Sequence, residues 1–353
     1  MASTTVDSES VRQFEKRKAD HIHLSLAEKN EAKGESGFSK IQLQHEALPD
    51  LDFSEISLSA KSLKKKYSTP FLVSSMTAGH TDSVDLNARL ALACEQHGWR
   101  MGVGSQRREL GDKDAAREWK EIRKKAPKVQ LLGNLGLAQI IKTKPSAIEA
   151  LVEALEAEAM FVHLNSLQEC IQPEGTPQFK GGLKAIEKLC RSLSVPVVVK
   201  ETGCGFSEST LRRLKDTGVA AVDVSGFGGT HWGRIEGDRS VNDPVRMAAA
   251  ESLKDWGIST AESLLNAKNA KVKYEIWASG GVRTGLDAAK ALAMGATTVG
   301  FAKPILVAAL KSEEALALQM QQIEFELKTI FFCLGVRTIS DLQARKVWRW
   351  VTP

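Results

Sequence analysis

The densest group of chemically active side chains lies at 163–169, a segment with the sequence HLNSLQE. Imidazole and amide groups hold polar ligands through hydrogen bonds, and a single carboxylate often holds Mg²⁺ together with substrate phosphates and water. We therefore predict that His163, Asn165 and Gln168 contact a ligand and that Glu169 binds a divalent metal. A lone His or Glu at the end of a strand is more often structural, so the prediction rests on the whole cluster.

A second group of residues favours the binding of an anion. Lys200 ends the apolar run VPVVVK, and an ammonium group beside buried surface needs an anionic or electron-rich partner. Glycine-rich turns at 226–229 and 280–281 follow later β-rich runs, and the second turn precedes a helix that we expect to begin near Thr284. Backbone N–H groups at such a turn bind phosphate well. These residues therefore predict a phosphate-bearing ligand beside Lys200.

Composition and motifs exclude several classes of function. The net charge of +5, from 48 basic and 43 acidic side chains without a long block of one sign, argues against a nucleic-acid partner. The five scattered cysteines form no CxxC pair, which favours a reducing, cytoplasmic setting over disulfides or structural zinc. No apolar run reaches the roughly 18 to 20 residues of a membrane span, so we expect no membrane partner. No Walker A, HExxH or complete dinucleotide-binding glycine motif occurs in the sequence.

The elements that must position these residues alternate regularly. From about residue 70, short β-rich runs alternate with amphipathic stretches, which is typical of a parallel sheet covered by helices. Eight such units close a barrel, whereas a doubly wound sheet usually has about five or six strands. We therefore predict an α/β fold, a (β/α)8 TIM barrel. The predicted strands are 70–75, 99–103, 129–133, 160–164, 195–200, 219–224, 274–279 and 297–301, and the clearest helices are 84–97, 147–158, 180–192, 208–217 and 284–294.

The loops that follow the predicted strands are where a barrel of this type carries its chemistry. All eight loops contain polar groups or glycines. Polar loops are common, so one such loop has about even odds of being only structural. The complete set favours an active site at the carboxyl ends of the strands.

Two segments lie outside this alternation. We expect residues 1–65 to form an N-terminal arm, and 66–353 to form the barrel with a C-terminal helical extension after Pro304. The arm contains the sequence RKADHIHL, in which Arg17 and Lys18 precede two histidines. These charges either are solvated or fold over the barrel mouth, where they would bind a diphosphate and exclude water.

Eight motifs together resemble those of the FMN-dependent, type 2 isopentenyl-diphosphate isomerases. They are RKADHI, SSMTAG, GSQR, GNLG, HLNSLQE, VPVVVKETGCGFS, DVSGFGGTHW and SGGVRTG, in the order and approximate spacing of that family. The resemblance extends from about Arg17 to Pro304. Small departures occur at Ala78, Ser166 and Lys303, and none of them removes a group with an assigned role.

The resemblance implies the conversion of isopentenyl diphosphate to dimethylallyl diphosphate with FMN, Mg²⁺ and NADPH, which keeps the flavin reduced. Reduced flavin would act as the acid and base, and the chain would form a homo-oligomer, a tetramer or octamer. FMN would contact Ser75, Met76, Thr77, Ser105, Asn134, Lys200, Ser225, Thr230, Gly281, Val282, Arg283, Ala302 and Lys303. The substrate would contact Arg17, Lys18, Ser105, Gln106, Arg107 and Gln168. The metal would bind to Glu169. Catalysis would involve Lys200, Gln168, His163 and Asn165.

Two other functions share parts of this pattern. An α-hydroxy-acid oxidase or dehydrogenase would use the same flavin site, but it needs a His base beside a carboxylate-binding Arg, and no HGG precedes Arg283. A flavin- or phosphate-binding protein without catalysis is the second alternative. Neither gives a use to HLNSLQE together with Arg17 and Lys18.

Overall fold

The computed structural model describes residues 11–32, 34–76, 84–112 and 115–351. Within these ranges, eight parallel strands close into a barrel in which neighbours follow chain order and the eighth strand pairs with the first. This confirms the predicted (β/α)8 TIM barrel. The barrel strands are Phe71–Val73, Arg100–Gly102, Gln130–Gly136, Ala159–Leu164, Val197–Glu201, Ala221–Asp223, Glu275–Ala278 and Thr298–Phe301.

The strand register aligns polar residues at one end of the barrel. The fifth barrel strand (Val197–Glu201) is buried along its whole length, since its valines meet core side chains on both faces. Lys200 on this strand pairs with His163 on the fourth strand and with Asp223 on the sixth. Three neighbouring strands therefore end with a titratable side chain in the same layer.

Helices surround the barrel, as expected from the amphipathic stretches. The predicted helix 84–97 is present with those bounds, whereas the helix expected at 208–217 ends at Arg213. The helical segment after Pro304 is divided at Ser312, whose hydroxyl accepts a hydrogen bond from Ala315 and begins a new helix. The helices are Val11–Leu26, Val84–His97, Ala115–Lys125, Leu137–Lys142, Pro145–Leu155, Ser166–Ile171, Gly182–Ser192, Glu208–Arg213, Trp232–Arg239, Pro244–Ser252, Thr260–Ala270, Gly285–Ala293, Lys303–Lys311, Glu313–Cys333 and Ile339–Ala344.

A hairpin and a buried arginine close the amino end of the barrel. The hairpin pairs Ala60–Ser62 with Lys65–Tyr67, so it includes the boundary expected at residue 65. Arg100 is fully buried, with its guanidinium 4.3 Å from the ring centre of Tyr67 and 4.7 Å from that of Trp277. Such contacts compensate part of the cost of burying a charge.

The N-terminal segment contacts both the C-terminal segment and the barrel mouth. Its strand Ile41–Leu43 pairs antiparallel with Trp348–Trp350 near the C-terminus. Its first helix, Val11–Leu26, packs against the helices Trp232–Arg239 and Lys303–Lys311, which follow the sixth and eighth barrel strands. The arm therefore lies over the carboxyl ends of the strands. None of the helices described is both long and apolar enough to cross a membrane.

Candidate active site

A large cavity opens at the carboxyl ends of the barrel strands. It holds roughly 1580 Å³ of space between atoms, part of which is open solvent. Loops after all eight strands contribute to its wall, and Arg17, His21 and Glu31 from the arm form one side. The cavity therefore joins the barrel mouth and the arm in one site.

Lys200 is a buried cation in the wall of this cavity. Its Nζ donates a hydrogen bond to the backbone oxygen of Glu201 at 2.6 Å, which is its one hydrogen bond to the described part of the chain. Burial lowers the pKa of the ammonium, and the charges of Asp223 and Glu201 oppose that change. Because an ammonium has three donors, Lys200 retains donors for a bound group.

Two buried carboxylates flank Lys200. Asp223 accepts hydrogen bonds from the Ser279 hydroxyl at 2.9 Å and from the Ser225 N–H at 3.2 Å. Glu201 accepts from the Thr202 N–H at 2.7 Å and from the Cys204 N–H. Burial raises the pKa of both carboxyl groups, that of Glu201 to about 7. Each carboxylate thus holds a loop of the cavity wall in place and contributes to the electrostatic potential at Lys200.

Asn134 and His163 form a second fixed pair. The Asn134 amide donates to the backbone oxygen of Val103 at 3.1 Å, so its Oδ1 is left to accept from His163 Nδ1 at 2.9 Å. This arrangement places the proton of a neutral His163 on Nδ1. Gln106 lies behind Asn134, with its Oε1 3.1 Å from the Asn134 backbone N–H. Gln106 is buried and is not among the residues that line the cavity, so its amide oxygen positions Asn134.

Glu169 is a buried carboxylate on the short helix Ser166–Ile171 and lines the cavity. One oxygen accepts from the Asn165 amide at 3.0 Å, and the other accepts from the Thr176 N–H at 2.5 Å and the Thr176 hydroxyl at 3.2 Å. The Asn165 Oδ1 is buried and has no partner among the described residues. A carboxylate and an amide oxygen, both hard ligands, are therefore held side by side.

Glu236 connects the arm to the cavity wall. It is fully buried on the helix Trp232–Arg239, and its Oε1 accepts from His21 Nε2 at 2.9 Å and from Gln168 Nε2 at 2.8 Å. Its other oxygen lies 2.5 Å from Arg239 Nη1. Burial alone would raise the pKa of Glu236, but the hydrogen bond and charge of His21, with the charge of Arg239, lower it to about 2.

The same network reaches Arg17. Arg239 Nη2 lies 2.7 Å from Glu174 Oε1, and that oxygen is 3.4 Å from Arg17 Nε. Arg17 is buried and lines the cavity. The chain of ion pairs from Glu236 through Arg239 and Glu174 therefore fixes a cation of the arm at the barrel mouth.

A third ion cluster lies at the loops after the seventh and eighth strands. Glu31 of the arm contacts Arg283 Nη2 at 2.8 Å and Lys303 Nζ at 2.5 Å, and all three residues line the cavity. Partial burial acts to raise the pKa of Glu31, but the hydrogen bonds and charges of Lys303 and Arg283 lower it below its ordinary value. Glu31 is therefore ionised at neutral pH.

The cavity brings together most of the residues predicted from the sequence. Gln106 does not line the cavity, and Thr77 and the side chain of Lys18 lie outside the described residues. The predicted residues in the cavity wall are Arg17, Ser75, Met76, Ser105, Arg107, Asn134, His163, Asn165, Gln168, Glu169, Lys200, Ser225, Thr230, Gly281, Val282, Arg283, Ala302 and Lys303.

Sequence reasoning missed several residues of the site. Glu31 and Glu236 have no local signal, because each acquires its partners from a distant part of the chain. Asp223 and Glu201 could have been found, since each is an acidic residue at the end of an apolar strand, where burial of a charge requires a reason. His21 lies in the RKADHIHL segment, and the residues that contact it could not be predicted.

The site fits a flavin phosphate and a divalent cation. Burial leaves the hydroxyls of Ser74 and Ser75, beside the cavity, without a partner in the described ranges. A Cβ at Gly229 would lie 2.7 Å from the Gly281 nitrogen, and one at Gly281 would lie 2.5 Å from the Gly228 oxygen, so these turns approach as only glycines permit. No group of three or more His, Cys, Asp or Glu side chains in the described ranges could hold a metal by itself. Glu169 and the Asn165 Oδ1 beside it would supply at most two oxygen ligands, which suits a cation that takes its other ligands from phosphates and water.

Comparisons with known proteins agree with this geometry. The family model described as FMN-dependent dehydrogenase matches residues 114–349. A protein of Legionella pneumophila strain Corby named isopentenyl-diphosphate delta-isomerase is 56% identical over 94% of this chain and 97% of its own length. A protein of the same name from Bdellovibrio bacteriovorus is 52% identical over 96% and 99%.

More distant proteins share the fold. The structure of a mutant flavocytochrome b2 with benzoylformate has a TM-score of 0.68 and 21% identity, over 96% of this chain and 84% of that chain. A mandelate oxidase structure with 2-hydroxy-phenylacetamide has a TM-score of 0.62 at 16% identity, covering 98% of this chain and 99% of its own. At such identities the likeness concerns the barrel alone. The family model and the close relatives show that the chain belongs to the FMN-dependent, type 2 isopentenyl-diphosphate delta-isomerases.

Proposed function

We propose that the chain interconverts isopentenyl diphosphate and dimethylallyl diphosphate by a 1,3-allylic proton shift, using reduced FMN and Mg²⁺. The observation that carries the proposal is the joint cavity, in which Lys200 at the strand ends faces the same space as Glu169 and the arm's Arg17. A site for a flavin alone would not require the metal-binding carboxylate or the arm.

The flavin half of the site would be built on the strand ends. When bound, reduced FMN would supply the acid and base that the alkene needs, because an isolated alkene is too weak a base for ordinary side chains. The Lys200 ammonium would stabilise negative charge on the ring. The residues proposed around FMN are Ser75, Met76, Thr77, Ser105, Asn134, Lys200, Ser225, Thr230, Gly281, Val282, Arg283, Ala302 and Lys303.

The diphosphate half would be built on the arm and the second and fourth loops. Glu169 would hold Mg²⁺, and Asn165 beside it would orient that carboxylate through the hydrogen bond already present. Anchoring the diphosphate would use binding energy remote from the alkene to orient the reacting carbons. The proposed substrate contacts are Arg17, Lys18, Ser105, Arg107 and Gln168, with Gln106 acting through Asn134.

The groups proposed to take part in catalysis occupy the space between these halves. His163 is held by Asn134, and Gln168 is held by Glu236, so both side chains are fixed before a ligand arrives. Preorganised polar groups of this kind lower a barrier because they need not reorient during the reaction. Lys200 and Asn165 complete the proposed set.

Several further expectations accompany the proposal. NADPH would keep the flavin reduced without being consumed in each turnover. Residues 1–65 would act as a cap on the barrel of 66–353, and the protein would be a cytoplasmic homo-oligomer, a tetramer or octamer.

The hydroxy-acid oxidase alternative is less well supported. It requires a histidine base beside a carboxylate-binding arginine, whereas Ser279 precedes the Gly280–Gly281 turn that leads to Arg283. Of the described histidines that line the cavity, His21 is bonded to Glu236 and His163 to Asn134. Anaerobic mixing of oxidised flavoprotein with lactate or mandelate tests this alternative directly. Bleaching of the flavin would favour it.

The proposal is tested by turnover of isopentenyl diphosphate. Purified protein reconstituted with FMN and reduced anaerobically should form dimethylallyl diphosphate only when Mg²⁺ is present, as followed by NMR. Glu169→Gln should lower the rate and raise the Mg²⁺ requirement by at least about 10- to 100-fold while FMN still binds. Glu158→Gln, at the opposite end of the barrel, serves as a control with the same charge change. Flavin-loaded protein without allylic product would refute the proposal.

A further inference from the structure

Glu31 is a carboxylate placed where the site is built to accept an anion. The loops after the seventh and eighth strands commonly hold phosphate in barrel enzymes, with help from helix N-termini. Here the helix Lys303–Lys311 begins in those loops, and its N-cap residue, Ala302, makes no side-chain hydrogen bond to the first turn. The two cations of these loops, Arg283 and Lys303, both pair with Glu31. The arm thus brings a negative charge to a phosphate site.

Backbone contacts hold Glu31 in this position. The Ala32 N–H donates to the Gly229 oxygen at 2.8 Å, and the His231 N–H donates to the Asn30 oxygen at 2.9 Å. These two bonds pair the arm, in an isolated antiparallel bridge between Glu31 and Thr230, with the glycine-rich turn after the sixth strand. These hydrogen bonds fix the backbone at Glu31, and from that position its carboxylate reaches both cations.

We propose that Glu31 determines the affinity of the site for the phosphate group of the flavin by competing with that phosphate for Arg283 and Lys303. This inference rests on the proposed flavin site. A phosphate carries more charge than one carboxylate and would replace Glu31 at the two cations, and the segment 30–32 would then loosen from the turn at 229–231. Flavin loading and docking of this part of the arm oppose each other.

The competition predicts a specific change in ligand preference. Removing the Glu31 charge should strengthen the binding of FMN but leave riboflavin, which has the same ring system and lacks the phosphate, nearly unchanged. For Glu31→Gln we expect FMN affinity to rise by about tenfold, within the usual range of coupling between two sites, and riboflavin affinity to stay within about twofold. Glu28→Gln, an exposed carboxylate three residues earlier, is the matched control and should change neither affinity.

Fluorescence titration of flavin-free protein with FMN and with riboflavin provides the measurement. If wild-type protein binds FMN and Glu31→Gln binds it no more tightly, or if both flavins gain equally, the competition is refuted while the flavin site stands. If wild-type protein binds neither flavin, the proposed function fails first.

A second measurement needs no substitution and so is independent of whether the variant folds. In wild-type protein, hydrogen exchange at the amides of Ala32 and His231 should be faster with saturating FMN than with saturating riboflavin. Equal or slower exchange with FMN would show that the backbone of segment 30–32 stays on the turn at 229–231, and would overturn the proposed opposition between flavin loading and docking of the arm.

Discussion

Replacing Glu236 by glutamine should destabilise the fold in a manner that depends on pH. Its pKa falls from 4.5 to about 2, so its ionised form is stabilised in the folded protein. Each unit of pKa difference between the folded and unfolded states is worth about 1.4 kcal/mol. For this side chain, which has no exposed area, the ionised carboxylate therefore contributes about 3 kcal/mol to the free energy of unfolding at pH 7. A lowered carboxyl pKa stabilises the fold above the unfolded value of 4.5, and this stabilisation is lost as pH falls toward 2.

The assay is urea unfolding of wild-type protein and Glu236→Gln between pH 7 and pH 3. The free energy of unfolding should differ by about 3 kcal/mol at pH 7 and by only about half of that at pH 3, one pH unit above the folded pKa. Glu208→Gln, which removes an exposed ion pair with Arg212, should cost less than about 1 kcal/mol. A difference that is absent at pH 7, or equally large at both pH values, would refute the assigned role of the ionised carboxylate.

Three other substitutions distinguish effects on FMN binding from effects on the stability of the barrel. Lys200→Met should weaken FMN binding by at least about tenfold, measured by flavin fluorescence, because the ring would lose the buried cation proposed to lie beside it; retained affinity would count against the assignment. Arg100→Met, at the amino end of the barrel, should destabilise the protein by about 3 kcal/mol in urea unfolding with no change in FMN affinity, and an altered affinity would contradict the separation. Gly281→Ala should cost at least about 1 kcal/mol and weaken FMN binding, since Gly281 has a φ of +69° and its Cβ would meet the Gly228 oxygen; normal stability and affinity would show that the turn adapts.

The barrel could be predicted because its signals are local. A strand such as Val197–Glu201 is a short apolar run that ends in polar residues, and the helices between strands repeat their apolar side chains with the helical period. Boundaries were less accurate, as at the helix that ends at Arg213, because the final turn depends on packing with neighbours. The division at Ser312 was also missed, although a serine followed by two glutamates is a recognisable helix start.

The candidate site was predictable to the extent that its residues follow strands. Lys200 and His163 lie near the ends of neighbouring strands, and Asn134 lies two residues before the end of the next strand, so the parallel order places the three at one end of the barrel. The partners of these residues could not be predicted in the same way. Glu236 meets His21 across 215 positions of sequence, and such a contact depends on how the arm docks rather than on any local pattern.

The arm takes part in two separate clusters of ion pairs at the site, and each cluster holds cations in the cavity wall. Arg17 is fixed through Glu174 and Arg239 to Glu236, and Arg283 with Lys303 is fixed by Glu31. Each set is held in place by carboxylates before an anion binds, which reduces the ordering that a ligand must impose but adds a competing charge. The first set is anchored by a fully buried carboxylate with three partners, whereas Glu31 is partly exposed and attached by two backbone bonds. The arm is therefore expected to yield at Glu31 and to hold at Glu236.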